Sequence, residues 1–202
     1  MKKILLIILV LFLVFMIYYF NLDRKVYVLS IGDYIVNNNS DDLIKDNLGK
    51  KYENDVIYSN DGDYRIIDLI NDINDNREFN YNNKEYTLDN VLIKADLIFI
   101  SIGLNDLRYN KINNYDYVDE VLTDLDEVLK LIRKYSKEKV YVFNYLIDNK
   151  ELCDYVNRRL YKIVERYDMD VIDISSIELS SNDNNISNKI KNVLKNFTNL
   201  KK

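Results

Sequence analysis

The chain has no histidine, no tryptophan and no proline, and only one cysteine and four glycines among its 202 residues. The missing histidine excludes most. No Ser-His-Asp or Cys-His catalytic pair can form within this chain, and no histidine-ligated zinc site can form either. A single cysteine excludes an internal disulfide and any cysteine-cluster metal site. Cys153 falls on the apolar face of a helical pattern with Leu152, Val156 and Leu160, where it reads as a small core residue. Charge of one sign is also lacking. The net charge is −5 with acids and bases mixed throughout, so no basic face emerges and nucleic acid is not expected as a partner.

What is present begins with one long apolar run. Lys2 and Lys3 precede residues 4–20, which carry no charge, and Asn21, Asp23, Arg24 and Lys25 follow. The run is close to the lower limit of about 17 residues for a spanning helix. A cleaved signal peptide is the competing interpretation. It would need small residues before the cut, but residues 16–20 are large (MIYYF), and no lipoprotein cysteine is present. Residues 1–25 are therefore expected to form an uncleaved signal anchor and short linker, with the two lysines in the cytoplasm and residues 26–202 outside as one domain. The chain as a whole is 48% apolar and 30% charged, enough for an ordinary core and surface.

Past the anchor, short apolar runs bounded by turn residues alternate with helical periodicity. Strands are expected at residues 26–31, 55–58, 97–102, 140–145 and 170–174. Helices are expected at residues 43–49, 64–74, 88–94, 115–135, 151–166 and 188–199. Ser40 or Asp41, Thr87, Asn114 and Ser187 are candidate caps. Residues 75–86 and 108–114 read as polar loops. The alternation implies an α/β domain: a five-stranded parallel sheet, three-layered, with helices on both faces. The strand at residues 97–102 is followed by Gly103, Leu104, Asn105 and Asp106. Ligands of such sheets bind outside the carboxyl ends of the strands, which makes this turn the first place to look for chemistry.

Segments taken in order along the chain resemble the SGNH or GDSL hydrolases, a family of esterases, lipases and carbohydrate acetyl-esterases with a flavodoxin-like sheet. Gly32 and Asp33 resemble the family's Gly-Asp-Ser block after the first strand, with Tyr34 where the nucleophilic serine would be. Gly62, after the second strand, resembles the glycine of the oxyanion hole. Gly103, Leu104, Asn105 and Asp106 match the Gly-x-Asn-Asp block, whose asparagine lends its side-chain amide to the oxyanion hole. Asp183, Asn184, Asn185 and Ile186 occupy the place of the Asp-x-x-His block, with Ile186 at the histidine position. The resemblance thus implies Asp33, Tyr34, Gly62, Asn105, Asp183 and Ile186 as the site, without its nucleophile and base. A hydroxyl without a base stays protonated at neutral pH and attacks poorly.

Each candidate has a plainer structural role open to it. Asn105 can be a turn residue bonding its own backbone, Asp33 a cap, and Asp183 a solvated loop acid. Tyr34 reads as a plug or stacking surface. Asp33, Asp63, Asp106 and Asp183 share one sheet edge, but nothing in their spacing requires a cation, and no metal or cofactor is expected. Ser136 to Lys139 spell a Ser-x-x-Lys pattern at the opposite edge of the sheet, away from the expected cleft. Three functions remain open. The chain binds an acylated cell-envelope glycan or lipid without hydrolysing it, or it hydrolyses an ester with a non-standard nucleophile, or it is a structural module that contacts proteins through its tyrosines.

Overall fold

The structure is a computed structural model that describes residues 2–22, 26–32, 52–57, 64–81, 84–109, 115–175, 188–193 and 195–196. Helix α1 (Lys2–Leu22) comes first. The elements that follow are β1 (Val26–Gly32), β2 (Tyr52–Ile57), α2 (Ile66–Asn74), β3 (Glu78–Tyr81), β4 (Lys84–Thr87), α3 (Leu88–Lys94), β5 (Leu97–Ser101), α4 (Leu104–Tyr109), α5 (Tyr115–Tyr135), β6 (Lys139–Phe143), α6 (Lys150–Arg166) and β7 (Asp170–Ile172). Residues 188–193 are helical as well.

The strands order as β2-β1-β5-β6-β7, and every pair is parallel. β1 and β5 sit inside the sheet and are apolar almost throughout; β5 is buried at all five positions. Alternate side chains feed two cores. Leu29, Ile31, Ile98, Ile100, Val140 and Val142 face α2, α3, α5 and α6, whose apolar stripes complete the larger core. Val28, Leu97, Phe99, Phe143 and Ile172 face the other way and pack with Ile174 and Ile190. An α/β fold built on a parallel sheet is thus what the strand and helix periods imply.

Two stretches expected to be loops are ordered differently. β3 and β4 pair antiparallel, with Phe79 opposite Tyr86. Their charged and amide residues hide the period-2 signal, and Asn76, at φ 49°, makes the turn into β3. Arg108 and Tyr109 continue α4 rather than starting a loop, because Leu107 is buried at 1% exposure and draws the segment into a short helix. Thr87 occupies the cap position of α3, but its hydroxyl does not cap the helix. It donates to Asp89 Oδ1 (2.6 Å) and accepts from Asn90 Nδ2 (2.6 Å). α2 starts at Ile66, not at Tyr64. α6 starts at Lys150, where Asn149 accepts from the Leu152 amide at 3.2 Å. The helix expected at residues 43–49 and the caps Ser40, Asp41, Asn114 and Ser187 lie outside the described residues.

At the amino edge of the sheet one arginine closes two helix ends. Arg133 in α5 donates from Nε to Tyr167 O (2.7 Å), from Nη1 to Ser136 O (3.2 Å) and Glu138 O (3.0 Å), and from Nη2 to Asp168 O (2.8 Å). Ser136 and Tyr167 are the residues that follow the last helical residues, and Glu138 and Asp168 lie in the turns just beyond them. Ser136 is buried here and its Oγ accepts from the Glu138 amide, which gives the Ser-x-x-Lys pattern a structural role.

Among the residues whose side chains are described, no helix is long and apolar enough to cross a membrane. In α1 that description covers residues 6–16, a stretch shorter than the roughly 17 residues a span requires.

Candidate functional site

The sheet reverses direction between β1 and β5. The chain leaves β1 toward the outer strand β2, and it leaves β5 toward β6 on the other side. The crevice at the carboxyl ends of these two strands is the topological switch point, where open parallel sheets take their ligands. Gly32 ends β1 and Gly103 follows β5, both at positive φ (146° and 100°). Each is a glycine because something occupies the place of a side chain. At Gly32 it is the Ser101 carbonyl of the neighbouring strand. At Gly103 a Cβ would meet Tyr145 Oη at 2.5 Å and Ile66 Cδ1 at 3.0 Å.

The Gly103 turn grips the start of α2. Asn105 Nδ2 donates to the carbonyl of Tyr64 at 3.1 Å. Asp106 Oδ2 accepts from the amide of Ile66 at 3.1 Å. One adjacent pair thus holds the carbonyl of one peptide and the amide of the next, on either side of Arg65. Asn105 is half-buried. Backbone bonds steady the turn: Leu107 N donates to Gly103 O at 3.0 Å, and Tyr117 Oη donates to Asp106 O at 3.1 Å.

A second layer holds the floor. Tyr145 Oη donates to Ile102 O at 2.9 Å beside Gly103. Asn157, 6% exposed, accepts from Tyr145 N and donates to Tyr145 O, both at 2.8 Å. The Cys153 thiol donates to the same carbonyl at 3.3 Å, so this cysteine is a buried core residue. Tyr64, whose carbonyl Asn105 holds, donates its own hydroxyl to Asp72 Oδ2 at 2.7 Å. Burial first, and then this hydrogen bond, push its phenol well above the usual tyrosine range.

Of the residues singled out from the sequence, Asn105 is described, at the carboxyl edge beside Gly103, and Gly62 lies two residues before Tyr64, whose carbonyl Asn105 holds. Asp33, Tyr34, Gly62, Asp183 and Ile186 themselves lie outside the described residues, as does Asp63. Asp106, considered above among four acids for a cation, serves instead as a helix cap supplied from another element. Among the described residues no group of three or more His, Cys, Asp or Glu is arranged to hold a metal. Tyr145 and Asn157 were not anticipated. The signal for Asn157 was legible: an asparagine on the apolar stripe of α6, between Val156 and Leu160, marks a core position that must have partners.

Burial raises the Asp106 carboxyl above its ordinary value, and the Ile66 amide pulls it back in part. The folded state therefore binds this proton more tightly than the unfolded state. The contribution to stability is complete below the unfolded pKa near 3.8 and declines as pH rises to the folded value, after which it is flat. Asp106→Asn keeps an acceptor for the Ile66 amide but removes the charge. The variant is expected to gain on the parent across that window, seen as a shallower fall in urea midpoint with rising pH. Parallel curves for the two proteins would show that Asp106 is not the titrating group.

No family model matches the sequence, and no curated protein matches it. Solved structures do match. The acetyl xylan esterase AlAXEase is 17% identical with a TM-score of 0.56, over 83% of this chain and 99% of that one. A family 3 carbohydrate esterase from Talaromyces cellulolyticus is 15% identical with a TM-score of 0.57, over 86% and 98%. A third structure is a carbohydrate esterase whose active site displays divergent catalytic and non-catalytic binding functions. It is 14% identical with a TM-score of 0.54, over 86% of this chain and 65% of that one. At these identities the likeness is one of architecture: the chain has an SGNH-hydrolase-like fold of the kind found in carbohydrate esterases.

Proposed function

We propose that the chain is a membrane-anchored protein whose cleft binds an acylated cell-envelope glycan or lipid without hydrolysing it. The observation that carries this is the position of Asn105. Its amide stands at the switch point beside Gly103, held by the Tyr64 carbonyl, at the sheet edge where an acyl group would enter. The sequence lacks the rest of the machinery. There is no histidine to take a proton, and a tyrosine, with an ordinary pKa of about 10, stands where the family has its serine. One of the structural neighbours combines catalytic and non-catalytic binding functions in a carbohydrate esterase active site, which gives such a site a precedent.

The anchor rests on residues 4–20. Helix α1 includes all of them, and a helix rises about 1.5 Å per residue, so 17 residues extend about 25 Å. The side chains from Leu6 to Phe15 are each 51–63% exposed, on every side of the helix. A helix apolar on every side needs a lipid surround.

The test uses the full chain in detergent, with an acetylated xylo-oligosaccharide as ligand and a p-nitrophenyl acetate assay beside it. Binding without turnover is expected, and Asn105→Ala should weaken binding about tenfold, the loss of one buried hydrogen bond worth about 1.4 kcal/mol. The esterase neighbours favour a second reading, hydrolysis by a non-standard nucleophile. Turnover that disappears in Asn105→Ala would establish it and end the first.

A further inference from the structure

The proposed ligand could be a polysaccharide or a bilayer lipid, and chain geometry separates the two. Resting on the anchor proposed above, the argument uses three lengths. Helix α1 ends at Leu22 and β1 begins at Val26. Four steps of fully extended chain reach at most about 14 Å. β1 has seven residues, and six steps at about 3.3 Å make it about 20 Å long. Every strand of the sheet is parallel to β1, so all the amino ends lie at one edge and all the carboxyl ends at the other. The cleft with Gly103 and Asn105 is at the carboxyl edge.

For that edge to rest on the bilayer, the amino end of β1 would have to stand at least 20 Å above the surface. The linker reaches about 14 Å at full stretch, so the domain cannot invert. It can stand upright or lean, and in either posture the amino edge stays next to the headgroups.

We propose that the cleft opens away from the membrane and takes an acyl group carried on a polysaccharide beyond the bilayer, not the acyl chain of a membrane lipid. Lipid tails lie below the surface, on the side that the short linker closes off. A glycan strand outside the membrane meets the carboxyl edge directly, and the anchor then sets the height at which the strand is held.

The test is energy transfer in the full chain reconstituted into phosphatidylcholine–phosphatidylglycerol vesicles with a headgroup acceptor dye. Donor dyes are placed singly through Lys137→Cys, before β6 at the amino edge, and Asp148→Cys, after β6 at the carboxyl edge. Both positions are exposed, whereas native Cys153 is buried and labels slowly. Transfer from position 137 should exceed transfer from position 148 at least about twofold, as for labels about 15 Å apart along strands rising about 3.3 Å per residue. Equal or reversed efficiencies would overturn the orientation while leaving the anchor intact. Recovery of the chain away from the vesicles would remove the anchor, and this inference with it. A second arm titrates acetylated xylo-oligosaccharide into the reconstituted and the detergent-solubilised chain. Equal affinity supports the outward cleft. Loss of affinity on reconstitution means that the bilayer covers or occupies the site, and overturns it.

Discussion

Gly32→Ala is expected to abolish cooperative folding. The new Cβ would fall inside the Ser101 carbonyl, and neither partner is a flexible side-chain tip: one belongs to β1 and the other to β5, the two strands at the centre of the sheet. No rotamer relieves a clash between backbones. The φ of 146° adds strain of about 1–3 kcal/mol for any residue with a side chain. To separate the strands would break the Gly32–Ser101 end of their register and expose the cores on both faces. The sum approaches the whole stability of a domain this size, about 5–15 kcal/mol. Circular dichroism on heating should show no sharp transition, or none above room temperature. A midpoint within a few degrees of the parent would mean that the strand ends can part cheaply.

Arg133→Ala comes next. The guanidinium satisfies four carbonyls from the end of α5, the turn into β6 and the turn out of α6, with Asp168 held at φ 52° in the last of these. Its planar fork reaches all four at once, which an ammonium cannot do. Burial lowers its pKa, and Asp168 raises it in part. Water can replace some of the lost bonds, because the side chain is only half-buried. The expected cost is therefore about 2–3 kcal/mol rather than the full sum of four charged bonds. At about 2–4 °C per kcal/mol for a chain of this length, the melting point should fall by about 5–10 °C. Arg133→Lys should recover less than half of that. If lysine restored the parent value, the charge alone would matter and the fork would not.

Both positions show where sequence reasoning stopped. Gly32 was legible as the end of a strand, but the carbonyl pressing on it belongs to residue 101, and pairing between strands is written nowhere in local order. Arg133 reads as one more basic residue in the last turn of a long helix. Its partners at Tyr167 and Asp168 are 34 and 35 residues away. The antiparallel β3–β4 pairing stayed hidden for another reason. Of its four cross-strand pairs only Phe79 opposite Tyr86 is aromatic on both sides, and each of the others carries a charged residue, too little apolar signal for period-2 alternation to show.

The candidate site divides along the same line. The glycine, asparagine and aspartate after β5 were recognisable by type and by place, because a strand that ends in such a turn at the carboxyl edge has few other uses. Which atoms they hold was not. Asp106 was weighed in the sequence as one of four acids for a cation, and only the approach of Ile66, 40 residues back, made it a cap. Asn105 likewise met Tyr64 across 41 residues.

By itself the sequence determined the α/β alternation and the two-sided burial of β1 and β5, since strand and helix periods are local properties of side-chain direction. It also determined that no histidine-based chemistry can occur within this chain. Only the tertiary structure decided that β1 and β5 flank the crevice, that the start of α2 is clamped in both polarities, and that a single guanidinium closes two helix ends. Each of these is a contact between distant segments, and such contacts are set when helices and sheet pack to bury apolar surface and the polar groups left inside must find partners.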